Sequence, residues 1–245
     1  MELTADEVHP IDAGFVARSP TLPEVWSANH VHITRPVAFE ELLALADANL
    51  PDLPYRHVAL DDDDTGRRLE QRLRAARWKL DREVVMELVR PPDREVDTSM
   101  VIEAGEDEML ALMERWHLED PAEVTEAGLR QLAEYGRREN RAWGDRSFAI
   151  TGGDGRLAAI TKVRAGDGVV QLEDVFTAPE ARGRGYGRAV VSHAAAVARA
   201  GNPELIFIVA DDNDWPKQLY AKVGFEPVGR TWSLHRPAGR PADGA

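Results

Sequence analysis

The stretch QLEDVFTAPEARGRGYGRA, residues 171–189, decides how this chain folds. Its first residues predict a buried strand, Ala178 and Pro179 predict a turn, and an alanine-rich helix follows the glycines. Glycine lets the backbone approach an anion and adopt a positive φ. The first turn of a helix presents unpaired N–H groups and the positive end of the helix dipole. A strand, a glycine loop and a helix in this order predict a pyrophosphate site.

Two common phosphate-binding loops do not fit this stretch. A Walker loop ends in Gly-Lys-Ser/Thr, and a dinucleotide loop has G-x-G-x-x-G with an acidic residue about twenty positions later. Here Arg182, Gly185 and Gly187 form Arg-x-x-Gly-x-Gly directly after a Leu-Glu-Asp-Val-Phe-Thr strand. This pattern resembles the acyl-CoA-binding signature of the GNAT superfamily of N-acyltransferases. The segment WPKQLYAKVGF, residues 215–225, resembles the family's other recurrent element and follows in the right order.

Composition limits the classes of function. The 245 residues are 43% hydrophobic and 30% charged, which predicts a soluble chain with a core. There is no cysteine, so disulfides, thiolate metal sites and a cysteine nucleophile are excluded. The chain has no long apolar run and begins without a signal-peptide pattern, which predicts a cytoplasmic protein with no membrane partner. The net charge of −13 argues against nucleic-acid binding and is compatible with a cationic substrate.

The first half, residues 1–92, carries little recognisable chemistry. Apolar spacing predicts strands at 25–33 and 55–60, helices at 37–48 and 65–77, and a strand from Trp78. The segments RLRAARWKLDREVVMEL and QLYAKVGFEPVGRTWSL share the order of helix, aromatic residue and strand, which indicates a weak internal repeat. We therefore interpret this half as a degenerate, shortened GNAT-like unit without a glycine loop.

Two patterns in the first half resemble metal sites. The acidic run at residues 61–64 lacks the alternating ligands and glycine of a calcium loop, so a helix cap is the better interpretation. His30 and His32 share one face of a predicted strand and zinc is an alternative, but no third ligand is evident. Partly buried structural histidines are the better interpretation, and no metal is expected.

The second half, residues 93–237, is predicted to be the catalytic domain. Helices from Glu106 and over 123–140 precede strands at 146–151, 156–164 and 169–177, with glycine turns between the strands. This order matches the GNAT fold, an α/β class with a mixed, mostly antiparallel sheet flanked by helices. In that fold the two helices line the acceptor pocket. The tail, residues 238–245, is predicted to be disordered.

The resemblance implies that acetyl-CoA is a cosubstrate held by the loop and the strand before it. Backbone groups of the strand pair with the pantetheine arm, loop amides hold the pyrophosphate, and the arginines add positive charge. A plain glycine-rich turn in an arginine-rich protein is the alternative. The implied cofactor-binding residues are Val175, Phe176, Thr177, Arg182, Gly183, Arg184, Gly185, Tyr186, Gly187, Arg188 and, less directly, Asn213.

Proton transfer requires a base, because an aliphatic ammonium is mostly protonated at neutral pH. Glu173 and Asp174 stand just before the cofactor-facing residues. Side chains alternate along a strand, so we expect only one of the two to face the pocket. The resemblance favours Glu173 as base or ammonium anchor, with Asp174 second. A structural carboxylate paired with an arginine is the alternative.

A general acid would protonate the departing CoA thiolate, and a phenol can do so. By resemblance this residue is Tyr220 in the Leu-Tyr-x-Lys-x-Gly-Phe element, and a packing tyrosine is the alternative. The predicted reaction is direct acetyl transfer to a primary amine of a small molecule in a ternary complex, by a monomer or homodimer. A non-catalytic acyl-CoA sensor, a protein or aminoacyl acceptor, and longer acyl donors remain open.

Overall fold

The computed structural model describes residues 4–119 and 124–237, so the predicted tail lies outside the described residues. The described chain divides into two compact units, and three of the boundaries fall inside strands. The first unit holds residues 4–84, Asp211–Asn213 and 229–237, and the second holds 85–119, 124–210 and 214–228. The predicted division at residue 92 stays a prediction. It differs from these units in the grouping of 85–92, Asp211–Asn213 and 229–237.

The first unit is a mixed sheet with two helices. Its described elements are β1 Glu7–Ile11, β2 Gly14–Arg18, β3 His30–Ile33, α1 Phe39–Asn49, β4 Tyr55–Leu60, α2 Asp63–Ala75, the start of β5 Lys79–Leu88 and the end of β11 Phe225–Pro237. The strand order is β1-β2-β3-β4-β11-β5. The β3–β4 pair is parallel, whereas β1–β2, β2–β3 and β4–β11 are antiparallel. Apolar side chains of the strands pack with those of α1 and α2 in one hydrophobic core.

The acidic run forms the beginning of α2, as predicted. The Asp62 carboxylate accepts a hydrogen bond from the Thr65 N–H at 2.8 Å and caps the helix. Asp63 accepts from the Arg82 guanidinium at 2.7 Å and from the Trp232 indole at 3.0 Å. Arg82 holds the pKa of Asp63 well below its usual range. These contacts orient the first turn of α2 within its unit.

The predicted strand over 25–33 is wrong in its first part, because β3 begins only at His30. A single 3-10 turn, Trp26–Ala28, occupies the first part, and the strand starts at His30. The buried Asn29 side chain accounts for the break. Its oxygen accepts from the Ser19 N–H at 2.8 Å, and its amide donates to the carbonyls of Leu22 and Val25. A side chain that satisfies three backbone groups favours a folded loop over an extended strand.

Both strand histidines have contacts within the first unit. His30 is buried with its Nδ1 at 3.0 Å from the Ser27 carbonyl, and His32 Nε2 lies 3.0 Å from the Asp61 carboxylate. Burial, together with nearby His57 and His32, lowers the pKa of His30 to about 3. A neutral imidazole at this position agrees with a structural role. Among the described residues, no group of three or more His, Asp or Glu is arranged to hold a metal ion.

The second unit is a mostly antiparallel sheet flanked by helices, which confirms the predicted fold class. Its described elements are β6 Ile102–Glu103, α3 Glu106–His117, α4 Glu126–Trp143, β7 Arg146–Thr151, β8 Leu157–Gly166, β9 Val169–Thr177, α5 Tyr186–Ala200, β10 Leu205–Asp211 and α6 Pro216–Val223. These strands run in the order β10-β9-β8-β7-β6, and of the pairs between them only β9–β10 is parallel.

Helices α3 and α5 supply much of the core of this unit. Helix α3 buries Met109 and Leu112 against Ile160 and Phe176 of the sheet. Helix α5 buries Val190 and other small apolar residues and packs on β8 and β9. The alanine-rich sequence lets α5 lie close to the sheet, which fixes the position of the glycine loop at its N-terminus. No helix within residues 4–119 and 124–237 is long and apolar enough to cross a membrane.

Candidate active site

The parallel strands β9 and β10 separate before either strand ends. Their pairing runs from Val169–Leu205 to Leu172–Ile208, whereas β9 continues to Thr177 and β10 to Asp211. Backbone N–H and C=O groups normally need partners, so an unpaired strand edge is a place where a ligand can bind. The separated part of β9 includes Val175, Phe176 and Thr177. Their predicted pairing with pantetheine stays a prediction, but the open edge that it requires is present.

A β-bulge at Asp174 changes the orientation of the candidate base. Ile160 of β8 pairs with Phe176, but Lys162 pairs with Glu173, so two residues of β9 oppose Thr161. Asp174 has φ of 51°, the left-handed conformation that Asp tolerates better than most residues. The expectation that Glu173 and Asp174 lie on opposite faces is therefore wrong. Simple alternation fails because the extra residue interrupts it.

Both carboxylates contact cations that share one face of β8. Glu173 Oε2 lies 2.7 Å from Arg164 Nη1, and Asp174 Oδ2 lies 2.7 Å from Lys162 Nζ. The Lys162 side chain is 2% exposed. Residues 162 and 164 are two apart on a strand and point to the same side. The structure thus brings Glu173 and Asp174 together.

Arg164 is the centre of this charge cluster. Its Nη2 lies 2.8 Å from the fully buried carboxylate of Asp145, and its Nη1 lies 3.2 Å from Glu139 Oε1 as well as contacting Glu173. Four carboxylates and two cations therefore meet beneath β8 and β9, and the cluster has excess negative charge. Sequence analysis missed Glu139, Asp145, Lys162 and Arg164.

The environment of Glu173 suits a base that works near neutral pH. Burial raises the pKa of Glu173 to about 7; Arg164 opposes this shift, and Asp174 and Glu139 increase it. A general base is most effective when its pKa is near the working pH. Burial likewise raises the pKa of Glu139. A perturbed carboxylate beside an open strand edge is typical of a functional site.

The glycine loop has the geometry of an anion site. Gly183 and Gly185 have φ of 77° and 82°, and a Cβ at either position would meet no atom within 4 Å, so both face open space. Gly185 is the N-cap of α5, and its carbonyl accepts a hydrogen bond from the Ala189 N–H at 3.0 Å. Because α5 begins at Tyr186, the N–H groups of its first turn have no acceptor within the helix. They are available to a phosphate.

The three loop arginines have different environments. Arg182 donates to the Thr177 carbonyl at 3.0 Å and to Glu119 at 2.6 Å. Arg188 is buried and donates to Asp93. Arg184 is exposed and has no carboxylate partner in the part of the chain that the structure describes. Arg182 and Arg188 thus hold the loop in place, and Arg184 is the arginine whose charge is unpaired.

The beginning of α5 lies against α6, the helix that carries Tyr220. A Cβ on Gly187 would lie 3.1 Å from Thr177 Oγ1 and 3.8 Å from Leu219, the neighbour of Tyr220. Burial raises the pKa of Tyr220 above its usual range, with a further contribution from Asp214. No hydrogen bond or ring contact joins Tyr220 to Glu173 in the described chain.

Two further predicted residues have other surroundings. Tyr186 is half-buried and packs against the apolar cluster beneath α3. Asn213 is exposed, its N–H donates to Asp211 Oδ1 at 2.7 Å, and it belongs to the first unit. A contact of Asn213 with the cofactor stays a prediction.

Comparison with known proteins finds one family model that matches part of the chain. Residues 109–225 match the model of the acetyltransferase (GNAT) family. A functionally unknown conserved protein from Staphylococcus epidermidis has a TM-score of 0.70 at 13% identity, covering 97% of this chain and 96% of its own. A GCN5-related N-acetyltransferase from Kribbella flavida has a TM-score of 0.61 at 17% identity, covering 98% and 92%. At such low identities, these TM-scores show that the proteins share a fold. No curated protein matches the sequence.

Proposed function

Because this chain carries an acetyltransferase domain of the GNAT family over residues 109–225, we propose that it transfers an acetyl group from acetyl-CoA to a primary amine of a small molecule. The family assignment supports acyltransferase activity. The acceptor class rests on one observation, the partly buried Glu173 in a cluster with excess negative charge beside the separated strands. A cationic amine is attracted to such a cluster, and a base there can remove its proton.

The reaction follows from this arrangement. Glu173 takes a proton from the bound ammonium, and the neutral nitrogen attacks the thioester carbonyl. A C–N bond forms, the C–S bond breaks, and Tyr220 protonates the CoA thiolate. The nitrogen loses its second proton as the amide forms, and this proton restores the phenol. The free loop amides and Arg184 bind the pyrophosphate of acetyl-CoA, and the open edge of β9 binds the pantetheine arm. Direct transfer needs no covalent acyl-enzyme, in agreement with the absence of cysteine.

Gly185→Ala should weaken acetyl-CoA binding by about tenfold or more. Alanine at a left-handed φ costs about 1–2 kcal/mol, so the loop would relax and its amides would no longer converge on the phosphate. Calorimetric titration with CoA measures the change. Gly155→Ala is the matched control, since Gly155 has φ of 80° and open space around its Cβ but lies in the β7–β8 turn. Equal affinities in the two variants would contradict the loop's assignment.

Tyr220→Phe should lower kcat about 10–100-fold and leave CoA binding within about twofold. The raised pKa keeps the phenol protonated, so it can donate a hydrogen bond or a proton to the departing sulfur. Thiol release measures kcat. Tyr55→Phe is the control, because Tyr55 is equally buried but belongs to the first unit. Full activity of Tyr220→Phe would indicate a packing role.

The test of the function is thiol release from acetyl-CoA across a panel of primary amines, with CoA binding followed by calorimetry. We expect turnover that favours small cationic amines over neutral and anionic ones. Turnover only with peptides or proteins would redirect the proposal to a macromolecular acceptor. CoA binding without turnover on any amine would favour a sensor. Failure to bind CoA would overturn the proposal.

A further inference from the structure

Two carboxylates contact one nitrogen of Arg164. Nη1 lies 2.7 Å from Glu173 Oε2 and 3.2 Å from Glu139 Oε1. The other side of the guanidinium is occupied, since Nη2 and Nε contact the Asp145 carboxylate at 2.8 and 3.1 Å. Glu139 comes from α4, and its side chain is 16% exposed. With both carboxylates on one nitrogen, the Glu139 charge raises the pKa of Glu173.

The charges around the pair do not neutralise it. Asp145 compensates Arg164 in a two-point contact, and Asp174 compensates Lys162 at 2.7 Å. Glu139 and Glu173 are then in excess. The charged groups that affect the pKa of Glu173 are Arg164 of β8, Asp174 of β9, Glu139 of α4 and Asp145 before β7. Lys162 of β8 affects the pKa of Glu139, and Asp174 affects the pKa of His117 of α3. Two like charges in a buried site are costly, and binding one proton removes that cost.

We propose that Glu139 and Glu173 hold one proton between them at neutral pH, so that Glu139 is a positioning residue that sets the ionisation of the base. The inference rests on the proposed function, because it assigns Glu173 as the base. The pair carries one negative charge before the reaction and none after Glu173 accepts the proton of the amine. Glu139 acts through Glu173 and does not contact the reacting atoms.

The activity test is the pH profile of kcat/KM for the amine in Glu139→Gln. Glutamine cannot repel the Glu173 charge, and Glu173 is then the only carboxylate that contacts Arg164 Nη1 among the described residues. We expect the acidic limb of the profile to move to lower pH by about one unit. Glu134→Gln is the matched control, since Glu134 also lies on α4 but pairs with Arg138 and Arg141 on its exposed side. An unmoved or raised limb in a folded Glu139→Gln protein would overturn the proposal.

A second readout requires no turnover. In protein labelled with 13C at the glutamate carboxyl carbon, the pair predicts two signals that titrate together above pH 5 and disappear singly in Glu139→Gln and Glu173→Gln. In Glu139→Gln the remaining signal of Glu173 should titrate about one unit lower. Two signals that titrate independently, or none above pH 5 in the wild type, would overturn the pair. If no amine is acetylated, this titration still decides the proposal separately from the function.

Discussion

Glu173→Gln should lower kcat/KM for the amine by about 10²–10⁴-fold, which is the range that general-base catalysis contributes. Glutamine keeps the size of the side chain and a contact to Arg164 but cannot accept the proton of an ammonium. CoA binding should stay within about twofold, because the loop and α5 are unchanged. The pH profile should also lose its acidic limb, since the group with a pKa of about 7 is gone.

The measurement is steady-state thiol release between pH 5 and 9 with the best amine of the panel. Glu126→Gln is the control, since Glu126 is an 88% exposed carboxylate at the start of α4. If Glu173→Gln retains wild-type kcat/KM at all pH values, the base is another residue and Asp174 becomes the next candidate. A rise in KM alone, with kcat unchanged, would indicate an ammonium anchor and not a base.

Arg164→Met should lower the free energy of unfolding by about 3–5 kcal/mol, the range for removal of one partner from a buried ion pair. The side chain is 9% exposed, and its loss leaves three carboxylates facing each other. Their pKa values in the folded variant should then lie above those in the unfolded chain. Such groups favour folding at low pH and lose that contribution as the pH rises through their folded pKa values. The deficit should therefore shrink between pH 7 and 5.

Urea denaturation at pH 7 and pH 5 measures this effect. Arg130→Met is the control, because Arg130 is 67% exposed and pairs with Glu126 one turn away, a contact worth under about 1 kcal/mol. A deficit below about 1 kcal/mol in Arg164→Met would mean that water or a rearranged Lys162 compensates the carboxylates. A deficit that grows towards pH 5 would contradict the assigned direction of the pKa shifts.

The loop was predictable because its signals are local. Gly183 and Gly185 needed only their neighbours to indicate a left-handed turn before a helix, and the structure places them at positive φ. The strand Val169–Thr177 has the predicted bounds, as do Tyr55–Leu60 and Arg146–Thr151. The hairpin β1–β2 was missed because nearly every residue of β1 is exposed, so its sequence has no alternating apolar pattern.

The charge cluster was not predictable because its members come from α4, the turn before β7, β8 and β9. One signal was available: Lys162 and Arg164 stand two residues apart in an otherwise apolar strand. Buried charges are rare unless they are paired, so carboxylate partners on the same face could have been expected. The bulge is harder to anticipate, since it depends on how Thr161 of the neighbouring strand is opposed, and its Oγ1 donates to the Glu173 carbonyl at 3.1 Å.

The bulge also allows one strand to serve two purposes. Glu173 and Phe176 are an odd number of residues apart, so in a regular strand they would face opposite layers of the protein. The extra residue resets the phase, and both now face α3 and α4, where Phe176 stacks on Trp116 at 5.3 Å and Glu173 meets Arg164. A descendant of this chain that straightened the strand would have to give up either the base or the aromatic packing. A substitution at position 174 that removes the bulge would therefore change both the position of the base and the packing of Phe176.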